Sequence, residues 1–252
     1  MDVHGARLLV VGATGEFGTL VAGLAADRGA RVVPAGREAG RLAAVARSVG
    51  SPFAPTFDAY DLDRCSVLAA RAAEHLGGLD AVLVSMGAVA FGRAEEASAE
   101  IEEHLMAVNA LAPIAVLRGA LRTIGRGGAV GAVTGIVVER PTASAGAYRA
   151  SKAALSGWLE TARLEQRARA VGVLEARPPH LANGFAGRAV AGVSPHLPAG
   201  SDPGPWAAAV LDALFAGADL VRPAPGDGCT PRIEGASPLR SKRNVQNRDG
   251  RG

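Results

Sequence analysis

With 252 residues, 48% of them hydrophobic, the chain can bury one good-sized core, and a single α/β domain is the expected organisation. The net charge of +3 does not argue for nucleic acid: residues 223–252 carry six basic and three acidic side chains, so residues 1–222 balance at 21 of each. Two distant cysteines, Cys65 and Cys229, and five histidines without ligand spacing give no metal motif, and none is expected.

The N-terminus lacks a basic leader and no apolar run reads as long enough to span a bilayer, so a soluble cytoplasmic protein is expected. "ARLLVVGA" is a buried-strand pattern ending in glycine, followed by the helix "TLVAGLAADRG". "ARVVPAGR" predicts a second strand, "EAGRLAAVARSVG" a helix, and "PFAPTFDAYDL" a third short strand. A helix over "DRCSVLAARAAEHLGG" leads to a fourth strand, "LDAVLVSMG". The long helical segment "AEIEEHLMAVNALAPIAVLRGALRTI" contains Pro113, which should bend or interrupt it. "GGAVGAVTG" is a fifth strand, "AGAYRASKAALSGWLETARLEQRARAVG" a long helix, and "VLEARPP" a sixth strand. A helix at "WAAAVLDALFAG" and a last strand at "ADLVRP" close the series. Strict alternation of strand and helix predicts a doubly wound parallel sheet of Rossmann type over residues 1–222. Residues 223–252, rich in Pro, Gly, Arg and Asn, are expected to be a disordered basic tail.

"VVGATGEFGTL" places Gly12, Gly15 and Gly18 at a strand-to-helix turn. Glycines permit close backbone approach to a pyrophosphate, and the following helix offers free N–H groups and a positive dipole end. Thr14 and Phe17, between the glycines, join them as candidate cofactor contacts. The second strand ends in Gly36 and Arg37, with Arg41 beyond, where a carboxylate would suit a ribose hydroxyl. A guanidinium suits a 2′-phosphate, which favours NADP(H), or else Arg37 is a solvated helix-start residue. Asp61 either meets the adenine ring or caps the helix after it.

"AYRASKAAL" carries the sharpest signal. Lys152 is the sole lysine before residue 223, and Tyr148 is one of two tyrosines. Four residues apart on a helix, they share a face. A nearby ammonium would lower the phenol's pKa and make Tyr148 a usable acid, whereas the plain alternative is a chance surface pair.

From residue 6 to about 185 the chain resembles the short-chain dehydrogenase/reductase family, through the glycine loop, Asp61, Asn109 in "MAVNALAP" and the Tyr148–Lys152 pair. The resemblance implies that Tyr148 protonates a carbonyl oxygen, Lys152 orients the nicotinamide ribose, and Asn109 holds a water of the proton relay. It also implies a homodimer or homotetramer built on the helices carrying Asn109 and Tyr148. The departures are specific. The family serine thirteen residues before the tyrosine is Gly135 here, with Thr134 and Ser144 the nearby hydroxyls. "SMGA" lacks the family's asparagines, and "PPHLAN" has Pro179 for its glycine and Asn183 for its threonine, an amide that can still bond a carboxamide. His180 in that loop either touches substrate or has no catalytic duty. The Gly/Pro-rich segment 184–205 is expected to form a pocket lid. The reading is an NADPH-dependent oxidoreductase reducing a ketone or similar polarised double bond. Gly135 keeps two others open: an isomerase or cyclase on the same fold, and a non-catalytic dinucleotide sensor or partner-binding protein.

Overall fold

The computed structural model describes residues 1–226 and 228–235. Apolar runs buried on both faces form strands β1 (Arg7–Val11), β2 (Arg31–Ala35), β3 (Ala81–Val84), β4 (Ala129–Val133), β5 (Gly172–Ala176) and β6 (Leu220–Pro223). A seventh, β7 (Pro231–Glu234), completes a sheet of order β2-β1-β3-β4-β5-β6-β7. All pairings are parallel except β6 with β7. Helices α1 (Glu16–Asp27) and α7 (Pro203–Ala216) cover one face, through Val21, Trp206 and Leu214 packed on Leu8, Val10 and Leu83. Helices α3 (Leu62–Leu76), α5 (Ala112–Thr123) and α6 (Gly146–Gln166) cover the other, through Leu68, Leu117 and Leu159 packed on Leu9, Val82 and Val130. Each such fully buried aliphatic side chain contributes ~1.5–3 kcal/mol of transfer free energy. The short helix α2 (Ala39–Ser48) follows β2.

Two expectations about strands need correction. The strand expected in residues 52–62 does not form; a single bridge between Gly36 and Thr56 stands in its place. Pro52 and Pro55 remove ladder donors there, and β2, which carries Pro34, is left as the edge strand where proline is tolerated. Conversely, β7 lies inside the segment expected to be a disordered tail. It pairs with β6 from Leu220–Glu234 to Pro223–Pro231, Arg222 pairs with Glu234 at 3.1 Å, and the Trp206 indole donates to the Cys229 carbonyl at 2.8 Å. An antiparallel edge strand with proline at its end escapes composition-based reading. The rest of the expected tail, residues 236–252, lies outside the described residues.

The long segment 99–123 is broken as Pro113 demands. Helix α4 (Ala99–Met106) passes into a π turn, Ala107–Leu111, and then into α5. A proline at 113 cannot donate to the carbonyl of Asn109 and clashes with it. The wider turn absorbs this conflict, the Ala112 N–H bonding back to the Ala107 carbonyl. By length and composition this 25-residue stretch is apolar enough to cross a membrane, contrary to the sequence expectation, but 72% of its most apolar window is buried inside the fold.

Parallel alignment gathers the loops after β1, β2, β3, β4 and β5 at one edge of the sheet. The strand order reverses between β1 and β3, which opens a crevice there.

Candidate active site

Gly12 and Gly18 let the first loop lie against the loop after β3. Gly12 has φ +87°, and a Cβ on it would stand 2.6 Å from the Met86 nitrogen. A Cβ on Gly18 would stand 2.7 Å from Ser85 Oγ. Gly15 is the N-cap of α1 and supplies no side-chain cap, so the first N–H groups of α1 have no side-chain acceptor. Thr14 offers its carbonyl to Arg41 Nη2 at 2.5 Å. Phe17 is not on the open side of the loop; it is buried in the α1–α7 layer with Val10 and Ala13.

Arg37 is exposed and makes no hydrogen bond or ion pair among the described residues, whereas Arg41 is committed to Thr14 and Glu38. Asp61 is the N-cap of α3: its Oδ1 accepts from the Arg64 N–H at 3.0 Å, and its other oxygen pairs with the Arg64 side chain. Asp61 caps the helix in this geometry.

The centre lies where α6 crosses the loop after β3. Lys152, 4% exposed, is buried, and among the described residues its ammonium donates one hydrogen bond, 3.1 Å to the Val133 carbonyl. Two N–H donors are left over. Burial alone pulls its pKa from 10.5 down to about 8. Burial also pushes the Tyr148 phenol above its ordinary value, although the residue as a whole keeps intermediate exposure. In this cofactor-free state the shift of the phenol comes from burial, and the Lys152 charge expected to lower it is not among its causes.

Asn109, turned inward by the π segment, is fully buried. Its Oδ1 accepts from the Ala88 N–H at 2.8 Å, and its Nδ2 donates to the Ala88 carbonyl at 2.8 Å and to Ser151 Oγ at 2.9 Å. Both amide protons are thus committed. Ser151, which sequence reading missed, passes the link on to the Tyr148 carbonyl at 2.8 Å. Its position one residue before Lys152, on the buried face of α6, was the available signal. Gly87 packs against both groups, since a Cβ there would stand 3.1 Å from Asn109 Oδ1 and from Lys152 Nζ.

Gly135 has φ +91° and ψ 158°, a region essentially reserved for glycine. A Cβ built on it would meet only the Pro178 carbonyl oxygen at 3.9 Å and the Tyr148 hydroxyl at 4.0 Å. Position 135 therefore faces the phenol but carries no donor. Thr134 does not substitute: it is buried, and its hydroxyl donates to Glu175 at 2.6 Å. Glu175 is a second feature missed from sequence. Its fully buried carboxylate takes a bidentate bond from Arg177 at 2.9 and 2.7 Å, which with Thr134 holds it ionised against the desolvation of burial. Arg177 also reaches Glu139 at 2.7 Å and so clamps the loop after β4.

Asn183 turns its Oδ1 to the Phe185 N–H at 3.1 Å, and its amide nitrogen has no partner among the described residues. Phe185 then packs on Tyr148, with ring centroids 6.2 Å apart. The segment carrying it is tied down by Val190 N–H to the Val89 carbonyl and by Phe91 N–H to the Ala191 carbonyl. Beside it lies a cavity of about 480 Å³ lined by Phe91, Ser98, Ser144, Ala147 and Ala150. His180 is half-buried, with no side-chain hydrogen bond among the described residues.

The family model described as "short chain dehydrogenase" matches residues 6–190. Among solved structures, the chain is similar to an alcohol dehydrogenase from the archaeon Thermococcus sibiricus complexed with 5-hydroxy-NADP, at 25% identity and a TM-score of 0.74, over 83% of this chain and 90% of that one. It is similar to a short-chain dehydrogenase from Burkholderia cenocepacia in complex with NADP, at 25% identity and 0.75, over 85% and 92%. A short-chain dehydrogenase from Streptomyces avermitilis gives 26% and 0.73, over 83% and 84%. A search of the curated proteins finds no match.

Proposed function

Because the chain belongs to the short-chain dehydrogenase family, we propose that it is an NADPH-dependent reductase of a small-molecule ketone or similar polarised double bond. The observation that carries this reading is Lys152: a buried ammonium with two unused donors, one helical turn from Tyr148, at the strand ends that face the glycine loop. Such a group is costly to bury without partners, and ribose hydroxyls are suited to supply them. The uncapped start of α1 and Arg37, which has no partner among the described residues, fit a phosphorylated dinucleotide. In this reading the loop through Gly12, Thr14, Gly15 and Gly18 sets the free N–H groups at the start of α1 against the pyrophosphate, Arg37 meets the 2′-phosphate, Asn183 offers its amide to the carboxamide, and Phe17 and Asp61 shape the loops behind.

Bound there, the dihydronicotinamide supplies a hydride. The chain supplies the rest. The neutral Tyr148 hydroxyl gives its proton to the carbonyl oxygen, and Lys152 keeps its charge at neutral pH and stabilises the phenolate that forms. Asn109 positions: through Ala88 and Ser151 it fixes the loop after β3 against α6. NADPH oxidation with a panel of ketones, run beside cofactor-binding titrations, tests the reading; binding without turnover of any ketone removes it. The absence of a polarising donor at Gly135 favours a non-redox use of the same pocket as the second reading.

Arg37→Asp should reverse or erase the preference for NADPH over NADH, by at least about tenfold, the worth of one charge-assisted contact. An unchanged ratio of dissociation constants assigns Arg37 to the surface. Assembly belongs to the same proposal, as does a cytoplasmic location. Leu111 and Leu164 stand 46% and 58% exposed on the π turn and α6, apolar surface that a second copy would cover. A dimeric or tetrameric mass at micromolar concentration is expected, and a strictly monomeric one refutes it.

A further inference from the structure

We infer that the substrate brings the missing donor itself: an α-hydroxy ketone whose own hydroxyl occupies the space beside Gly135. This rests on the reductase reading. A carbonyl oxygen that receives a proton while a hydride reaches its carbon develops negative charge, and one well-placed donor there is worth about a hundredfold or more in rate. The neighbouring hydroxyls do not offer one. Thr134 donates to Glu175, Ser151 donates to the Tyr148 carbonyl, and Ser85 donates to the Val11 carbonyl. Ser144 faces the cavity lined by Phe91 and Ala147, which Tyr148 does not line. What the structure provides in place of a donor is room: among the described residues, Thr134 and Ile136 aside, only the Pro178 carbonyl oxygen and the Tyr148 hydroxyl lie within 4 Å of the point where a Cβ would stand.

A hydroxyl on the carbon next to the carbonyl sits at hydrogen-bond range of the carbonyl oxygen by its own covalent geometry, so it fills that room and donates at the same time. The step balances without it. The hydride and its electron pair go from the dihydronicotinamide to the carbonyl carbon, the C=O π pair moves to oxygen, and the Tyr148 proton completes the alcohol. The substrate hydroxyl keeps its proton, and the product is a vicinal diol. The backbone at Gly135, in a conformation that glycine adopts freely and other residues do not, is held by Glu175 and Arg177 through Thr134 and Glu139, which keeps the room open.

The test is wild-type turnover with NADPH of three matched ketones: cyclohexanone, its α-hydroxy derivative and its α-methoxy derivative, with a linear set of the same design. The methoxy compound has the same inductive pull on the carbonyl but no donor. The expected result is a kcat for the hydroxy ketone at least a hundredfold above both others, with KM changing much less, because the bond strengthens as charge develops. Equal kcat for the hydroxy and methoxy ketones overturns the inference and leaves the reductase reading standing. No turnover of any of the six, with NADPH bound, overturns both. Gly135→Ala adds a second arm where circular dichroism and NADPH affinity show it folded: the hydroxy-ketone advantage should drop at least tenfold as the methyl takes the space. An unchanged advantage in that folded variant places the hydroxyl elsewhere and also overturns the inference.

Discussion

Tyr148→Phe should lower kcat by about a thousandfold, within the range for loss of a positioned general acid, while NADPH affinity changes by less than about twofold. The split follows from what the substitution removes. Tyr148 contacts Phe185 through its ring and Ser151 through its backbone carbonyl, and both contacts survive in phenylalanine. Only the hydroxyl goes, and it is the group that faces position 135. Because burial raises the phenol's pKa, the wild-type hydroxyl is protonated throughout the neutral range, and reduction should not lose activity on the acid side through Tyr148. Steady-state rates with a reducible ketone and fluorescence titration of NADPH check the two halves. Full activity in Tyr148→Phe places the acid elsewhere, and the non-redox reading then leads.

Lys152→Met should make the cofactor-free protein more stable at pH 7 by about 2 kcal/mol while reducing turnover by a hundredfold or more. A pKa pulled from 10.5 to about 8 corresponds to roughly 3 kcal/mol of unfavourable charge burial at neutral pH. About 1 kcal/mol is returned when the hydrogen bond to the Val133 carbonyl is lost. The sign follows from proton counting. Below about pH 8 the ammonium is charged in both states and the penalty is complete. Between 8 and 10.5 the unfolded chain binds more protons, so stability rises with pH; above 10.5 Lys152 is neutral in both and the penalty is gone. Tyr148 acts oppositely above pH 10, where the unfolded phenol ionises first and stability falls. Denaturant melts from pH 7 to 10 should show a rising limb in the wild type that Lys152→Met flattens. Saturating NADPH should shrink the stability gap, since the ribose would supply the partners that the apo site lacks. A variant no more stable than wild type at pH 7 shows that Lys152 is solvated or paired in solution.

The sequence by itself determined the sheet and the crevice at its edge. Apolar runs such as "RLLVV" and "AVLV" are strands in any context that buries both faces, and alternation with helices of crossover length makes them parallel. The glycine spacing and the Tyr148–Lys152 interval are local patterns, so they are legible one residue at a time. Tertiary structure alone decided what those groups face. The Pro/Gly/Arg composition of residues 223–235 gave no sign of β7, because an edge strand is made by its partner β6, not by its own propensity. Phe17 sits among loop glycines in sequence, yet the turn of α1 carries it into the core. Thr134 and Glu175 lie 41 residues apart and meet at 2.6 Å only because β4 and β5 are neighbours, which is how the hydroxyl nearest the missing serine is taken out of the site. The direction of both pKa shifts was equally out of reach: spacing places a lysine near a tyrosine, but desolvation depends on the walls that the rest of the chain builds around them.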